Sequence, residues 1–128
     1  MKRLLLDTHA LLWWLSDHPR LGLEAKAAIA DGNNSIYVSA ATTWEISIKK
    51  ALGKLQAPDD MESIIEKEGF TALPISLFHG DQAGLLPDHH RDPFDRMLIA
   101  QAQAEGLVLI TSDGKIPPYG IRLMDAEA

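Results

Sequence analysis

Short apolar runs alternate along the chain with longer segments in which apolar residues recur at helical spacing. The runs Leu4–Leu6, Ile36–Val38 and Leu107–Ile110 are continuous, which is typical of strands that are covered on both faces. The segments between them carry apolar residues on one side, as helices that pack against a sheet do. The alternation predicts a single α/β domain over residues 1–128, with a mostly parallel central sheet and right-handed crossovers.

Capping and turn residues set the expected bounds of the helices. Thr8 is expected to cap the first helix, which Pro19 ends. Thr42 or Thr43 is expected to cap the third helix. A strand is expected around residues 70–75, at a sheet edge because Pro74 interrupts the run. The remaining expected elements are helices over 21–29, 58–68 and 93–104 and after Ser76, a loop over 84–91 and a strand around 121–123.

The composition narrows the class of protein. A domain of 128 residues buries roughly two-thirds of its extended surface on folding, enough for a hydrophobic core without disulfides. The absence of cysteine excludes thiolate metal sites and suits the cytoplasm. No segment has the pattern of a signal peptide or a membrane span, so we expect a soluble cytoplasmic protein with no membrane partner. The net charge of −6 argues against broad electrostatic capture of nucleic acid, unless acids gathered in one pocket bind divalent cations.

Four carboxylates occupy positions that an α/β fold can bring to one edge of its sheet. Asp7 and Asp113 follow apolar strands, and Asp95 lies in the first turn of a helix. Ligands collect at the carboxyl ends of parallel strands, which makes that edge the expected functional edge. Each acid also has a structural role open to it: Asp7 as a helix cap, Asp95 beside the helix dipole, and Asp113 in an Asp-Gly turn. For Glu45 alone, the favoured interpretation is a solvated helix face paired with Lys49.

A cluster of such acids is unfavourable without positive charge. Two carboxylates about 4 Å apart repel by roughly 4 kcal/mol at an effective dielectric constant of about 20, so three or four together require cations or raised pKa values. Ligation by oxygen alone selects Mg²⁺ or Mn²⁺. Such ions activate a water molecule for in-line attack on a phosphodiester and stabilise the leaving oxygen.

Four segments carry a resemblance to a known family: Leu4–Ala10 (LLLDTHA), Ser39–Ser47 (SAATTWEIS), Arg91–Ala102 (RDPFDRMLIAQA) and Leu109–Asp113 (LITSD). In this order and spacing they resemble the motifs of PIN-domain nucleases and, more narrowly, of VapC-type toxins. The resemblance covers nearly the whole chain. It implies a three-layer α/β/α sandwich and a metal-dependent ribonuclease that is the toxin of a toxin–antitoxin pair.

Residue by residue, the resemblance places four acids in a metal-dependent catalytic site: Asp7, Glu45, Asp95 and Asp113. Asp7 and Asp95 are the first choices for direct ligation of Mg²⁺ or Mn²⁺. Glu45 and Asp113 would ligate directly or through water and orient the nucleophile. Asp92 is a neighbour of the site, and Thr8 and Thr111 match the polar supports of the family. The resemblance also implies an RNA substrate, a homodimer, and an inhibitory antitoxin whose peptide covers the acidic groove.

Other side chains that can carry chemistry have structural explanations. Trp13 and Trp14 point in different directions on a helix, so at least one is expected in the core or at a dimer interface rather than stacked on a base. His89 and His90 are adjacent in a loop without a ligand pattern, which favours solvated side chains over metal ligands. Phosphate contact is open to five basic residues, although ordinary surface charge is favoured for each: Lys49, Lys50, Arg91, Arg96 and Lys115.

Two rival functions use the same residues differently. An aspartate-based phosphotransferase or phosphatase would use Asp7 as its nucleophile, but a haloacid-dehalogenase-like site requires a second Asp two residues on, where this chain has His9. A catalytically silent α/β module would bind a partner with the same surface and use the acids as helix caps. The presence of all four motif acids argues against the silent module.

Overall fold

The centre of the molecule is a sheet of five strands, described for residues 1–128 by a computed structural model. The strands are β1 Arg3–Leu6, β2 Ser35–Ser39, β3 Thr71–Leu73, β4 Val108–Thr111 and β5 Leu123–Asp125. Their order is β3-β2-β1-β4-β5, and every pairing is parallel. The predicted α/β architecture is confirmed, as is the edge position of the strand that precedes Pro74.

Six helices connect and cover these strands: α1 Thr8–Leu15, α2 Leu23–Ala30, α3 Ala40–Ala51, α4 Met61–Lys67, α5 Leu77–Leu85 and α6 Pro93–Glu105. A 3-10 turn, Pro117–Tyr119, lies between β4 and β5. None of these helices combines the length and the apolar composition that crossing a bilayer requires.

A hydrophobic core lies on each face of the sheet because side chains alternate along the central strand. Leu4 and Leu6 of β1 pack on one face with residues of α1, α2 and α4. Leu5 packs on the other face, chiefly against α6. All three leucines are fully buried. The predicted three-layer α/β/α sandwich is therefore confirmed.

The helices that follow β1 and β2 begin earlier than predicted. Asp7, rather than Thr8, caps α1. Ser39, rather than Thr42 or Thr43, caps α3. In both places the chain passes from strand to helix without a loop, so the last short polar residue of the strand end is the one that can accept a hydrogen bond from the first turn.

Other bounds also differ from the predicted ones, and α4, predicted from residue 58, begins at Met61. α1 ends at Leu15, well before Pro19, and α5 continues to Leu85 into the predicted loop. The final strand is Leu123–Asp125 rather than residues 121–123. The chain before it is occupied by the 3-10 turn and by Gly120, whose φ of 71° places it in the left-handed region.

Candidate active site

The carboxyl ends of β1 and β4, the middle of α3 and the first turn of α6 surround one polar cavity of about 360 Å³. All four predicted site residues line it, together with a fifth acid: Asp7, Glu45, Asp92, Asp95 and Asp113. The other lining residues are Thr8, His9, Trp13, Arg20, Lys49, His90 and Ser112. The fold thus brings together acids that are far apart in the sequence, at the sheet edge where parallel strands collect ligands. Their catalytic role stays a prediction.

Asp7 serves the fold and the cavity at the same time. Its Oδ1 accepts a hydrogen bond from the Ala10 N–H at 2.8 Å, which caps α1. The side chain is nevertheless one of the most buried acids, with the residue 5% exposed. Burial raises the pKa of the Asp7 carboxyl, and the nearby charge of Asp113 raises it further. The carboxylate therefore gains from a cation at this edge.

Glu45 is buried, contrary to the interpretation favoured from its sequence position. Thr8 Oγ1 donates to Glu45 Oε1 at 2.6 Å, and Lys49 Nζ donates to Oε2 at 2.5 Å. The predicted ion pair with Lys49 is present. The prediction that Glu45 lies on a solvated helix face is wrong, because α3 turns its side chain toward the cavity. The hydrogen bond to Glu45 raises the pKa of Lys49. A support role for Thr8 was implied by the family resemblance.

Asp92 and Asp95 lie at the start of α6. Asp92 Oδ1 accepts from the N–H groups of Phe94 and Asp95, at 2.8 and 3.3 Å, and caps the helix. Burial, and next the charge of Asp92, raises the pKa of Asp95 to about 7. The surroundings of Asp95 thus oppose its ionisation, as those of Asp7 do.

Asp113 is held in a turn directly after β4. Its N–H donates to Thr111 Oγ1 at 3.1 Å, and its Oδ1 accepts from the Lys115 N–H at 2.9 Å. Burial opposes ionisation of Asp113, but the Lys115 N–H and the His90 side chain outweigh it, so the pKa of Asp113 is lowered. The turn that was considered for this Asp-Gly pair is present, and it directs the Asp113 carboxylate toward the cavity.

His90 links two of these acids and was missed by sequence reasoning. Its Nδ1 accepts a hydrogen bond from the Asp92 N–H at 3.2 Å, so the ring proton lies on Nε2. Nε2 lies 2.8 Å from Asp113 Oδ2 and 3.0 Å from Asp95 Oδ2. His90 therefore donates from Nε2 to Asp113, with Asp95 close to the same nitrogen.

The predicted solvated state is wrong for His90, which is 6% exposed, whereas His89 is exposed. Tyr119 separates the two, because its hydroxyl accepts from both backbone N–H groups and its ring contacts His89 edge-on. A signal was available in the sequence: His90 lies two residues before the helix cap Asp92, where a ring nitrogen can accept the cap's N–H.

The two tryptophans and Arg96 have different surroundings in the structure. Trp14 donates from Nε1 to Glu68 and packs against Phe70, whereas Trp13 lines the acidic cavity. Arg96 is unsuited to phosphate contact, because its guanidinium donates to the backbone carbonyls of Ala83, Leu86, Pro87 and His90.

The residues present fit a divalent cation. Five carboxylates face the cavity, while the lysine that lines it, Lys49, is bound to Glu45. Potential ligand atoms of His90, Asp95 and Asp113 lie within 4.8 Å of one another, and Asp7 is outside this group of three. Because the His90 Nε2 carries a proton, carboxylate oxygens are the atoms left to bind a metal. Such a donor set suits Mg²⁺ or Mn²⁺.

Comparison with known proteins gives consistent matches. The family model of the PIN domain matches residues 4–120. The chain is 44% identical over 72 residues to ribonuclease VapC16 of Mycobacterium tuberculosis, which covers 52% of this chain and about half, 51%, of that protein. It is 27% identical over 119 residues to ribonuclease VapC22 of the same organism, which covers 91% of each.

A solved structure shows the same fold at low sequence identity. The structure is that of DNA-bound VapBC from Salmonella typhimurium, in which one chain superposes with a TM-score of 0.70. The two chains are 19% identical, and the superposition covers 98% of each.

Proposed function

The chain belongs to the PIN domain family, and from this premise we propose that it is a metal-dependent ribonuclease, the toxin of a toxin–antitoxin pair. Its substrate is RNA, and the reaction is hydrolysis of a phosphodiester bond in the cytoplasm. The relatives named ribonuclease VapC16 and VapC22 support this activity.

The observation that carries the proposal is the surplus of negative charge in the cavity. Five carboxylates line it, against two basic side chains that are each paired with an acid, Lys49 with Glu45 and Arg20 with Glu127. The raised pKa values of Asp7 and Asp95 follow chiefly from burial, and the neighbouring acids add to them. A fold gains no stability from such a cluster, so its presence at the ligand edge of a parallel sheet supports a metal-binding role.

In the proposed site, Asp7 and Asp95 are the first choices for holding Mg²⁺ or Mn²⁺, and Glu45 and Asp113 hold it directly or through water. When bound, the metal supplies activation of a water molecule and charge stabilisation at the leaving oxygen of the phosphodiester. Glu45 and Asp113 orient the nucleophile, and Asp92 caps the helix that presents Asp95.

Neighbouring side chains hold these carboxylates in place. The Thr8 hydroxyl and Lys49 fix the two oxygens of Glu45. The His90 Nε2–H holds Asp113 Oδ2, and Asp95 Oδ2 lies 3.0 Å from the same nitrogen. Preorganisation of this kind keeps the ligand oxygens close together although they repel one another.

We also propose a homodimer and an inhibitory antitoxin whose peptide covers the acidic groove. The similar VapBC complex from Salmonella typhimurium supports the antitoxin partner. The open polar cavity is the surface that such a peptide would cover.

The test is cleavage of a mixed RNA pool by purified, metal-stripped protein, with and without Mg²⁺ or Mn²⁺. The Asp7→Asn, Asp95→Asn double variant should fold and make no cuts. Asp81→Asn, Asp88→Asn is a matched control, because it changes two exposed acids that lie outside the cavity. Cleavage by the folded Asp7→Asn, Asp95→Asn variant would refute the site.

The same preparation separates the rival functions. A folded protein that neither cuts RNA nor binds Mg²⁺ or Mn²⁺ in calorimetry would favour the silent binding module, whose acids serve as helix caps. A phosphorylated, acid-stable form of the protein would favour the phosphotransferase that uses Asp7. Metal-dependent cuts by the unmodified protein alone would establish the ribonuclease.

A further inference from the structure

A group of aromatic and basic side chains forms one wall of the acidic cavity. The Trp13 ring stacks with His9 and with His18, and the ring centroids are 5.8 Å apart in each pair. The Arg20 guanidinium lies over the same indole, 4.7 Å from the ring centroid. His9, Trp13 and Arg20 line the cavity that holds the carboxylates. The name Trp13 wall is used below for His9, Trp13, His18 and Arg20.

Arg20 has donors available at the cavity. Its Nε–H donates to Glu127 at 3.1 Å, and its two terminal nitrogens have no hydrogen-bond partner. The Arg20 and Glu127 side chains are 60% and 42% exposed, so the pair is weak and readily exchanged for another anion. The other lysine or arginine that lines the cavity, Lys49, is bound to Glu45. Arg20 is therefore the cation that a ligand in this cavity can reach.

We propose that Arg20 binds a phosphate group of the RNA strand beside the acidic cluster, with Trp13 holding the guanidinium in position. The inference rests on the ribonuclease function proposed above and adds a substrate-positioning residue to it. A guanidinium matches a phosphate through two parallel N–H···O bonds, and the two terminal nitrogens of Arg20 are free to make them. Stacking on Trp13 limits the rotamers that Arg20 would lose on binding.

The position of the wall indicates which phosphate Arg20 contacts. His9 and Trp13 are one turn apart on α1, and the wall starts next to the helix cap Asp7. Asp7 and Trp13 are separated by about 9 Å along the helix, at 1.5 Å per residue. Arg20 lies over the Trp13 ring and lines the same cavity, so it is suited to a phosphate next to the scissile one. Although the protein is acidic overall, the positive charge of Arg20 attracts the RNA strand locally at this cavity.

Equilibrium binding tests the role of Arg20. The probe is a fluorescein-labelled single-stranded RNA, measured by anisotropy with Mg²⁺ in the Asp7→Asn background, in which the proposed cleavage is absent. Arg20→Gln should raise Kd about tenfold, the effect of one charged hydrogen-bonding group. It should also lower the slope of log Kd against log salt concentration by about 0.7, the change for one phosphate contact on a single strand.

Two further variants refine this expectation. Arg20→Lys should recover part of the affinity, because it keeps the charge and loses the planar fork. Glu127→Gln should tighten binding, because it removes the anion that competes for Arg20. With the Asp7 side chain intact, Arg20→Gln should raise KM and leave kcat nearly unchanged.

Arg122→Gln is the matched control. Arg122 is exposed and donates to the Gly106 carbonyl, at the end of β4 opposite to Asp113. Equal losses of RNA affinity in Arg20→Gln and Arg122→Gln would overturn the proposal, as would an unchanged salt slope. Failure of the ribonuclease function looks different, because the unsubstituted protein would then neither cut nor bind RNA, and both proposals would fall.

Discussion

His79 and His90 are two buried histidines that make the same local hydrogen bonds in different parts of the molecule. Each ring accepts a backbone N–H at Nδ1, from Ser76 for His79 and from Asp92 for His90. Each therefore donates from Nε2 to a carboxylate. His79 donates to one acid, Glu105, at 2.9 Å and ties α5 to the end of α6. His90 lies just before α6, between Asp95 of that helix and Asp113, which follows β4.

The difference between the two sites lies in the surrounding charge and not in the hydrogen bonds. His79 completes a capping box with Ser76, and one carboxylate satisfies its ring. Around His90, the same donor faces Asp95 and Asp113 at the cavity lined by three more acids. Local hydrogen bonds thus order both histidines. The unbalanced charge around His90 distinguishes a candidate active site from the purely structural contact that His79 makes.

The largest expected effect concerns metal binding. At a Mg²⁺ concentration about 1,000 times its Kd, the free energy of unfolding should rise by about 4 kcal/mol. Asp95→Asn, at the His90 site, should abolish most of this gain because it removes a proposed metal ligand. Glu105→Gln, at the His79 site, should keep it. Calorimetry gives the Kd, and urea unfolding gives the stability.

Equal Mg²⁺ stabilisation of these two variants would remove the distinction between the sites. Ca²⁺ provides a second titration, because it also binds oxygen ligands and tolerates less regular geometry.

The next effect separates activity from stability. His90→Ala should reduce RNA cleavage by about 10- to 100-fold, the usual result of losing a group that orients metal ligands. His79→Ala should retain cleavage and lose about 1–3 kcal/mol of stability, because it leaves the Ser76 N–H donor and the Glu105 carboxylate without their partner. Single-turnover cleavage and thermal unfolding of both variants measure the two quantities.

His90→Gln refines this test, because its amide can still donate to the carboxylates and should recover part of the activity. If His79→Ala lost as much activity as His90→Ala, the distinction between a structural His79 and a His90 that serves the candidate active site would be wrong.

The smallest effect is a pH dependence of stability. In the metal-free protein, burial and then the charge of Asp92 raise the pKa of Asp95 from 3.8 to about 7. The folded state therefore holds a proton that the unfolded chain releases, and stability falls as the pH rises from about 4 to about 7. The difference in stability between the unsubstituted protein and Asp95→Asn should fall by on the order of 1–2 kcal/mol across this range, allowing for partial solvent exposure.

Urea unfolding in EDTA at several pH values measures this difference. Glu105→Gln is again the control. A pH-independent difference between the unsubstituted protein and Asp95→Asn would contradict the pKa shift.

The sequence predicted the main elements because each has a local signal. The apolar runs before Asp7 and Asp113 are strands, and Pro93 and Gly106 mark the helix between the acidic segments. Parallel strands share a carboxyl edge, so the meeting of these acids followed from the fold class. The motif resemblance then added Glu45, which pattern alone assigned to solvent.

The errors arose where contacts between distant segments decide the outcome. Glu45 shares a helix face with buried Thr42 and Ile46, but its direction depends on how α3 packs against the sheet. His90 is buried by the approach of Asp113 from β4, which no local pattern reports. Arg96 found carbonyl partners in a loop whose path the sequence left open.

The use of Asp7 as a helix cap has a genetic consequence. Asparagine caps helices about as well as aspartate does, so Asp7→Asn should keep α1 in place while removing the negative charge from the cavity. Codons for the two residues differ at one base. In a cell poisoned by the proposed toxin, survivors should therefore include point mutants at this codon that still accumulate full-length, folded protein, and such mutants would be inherited as silent copies of the gene.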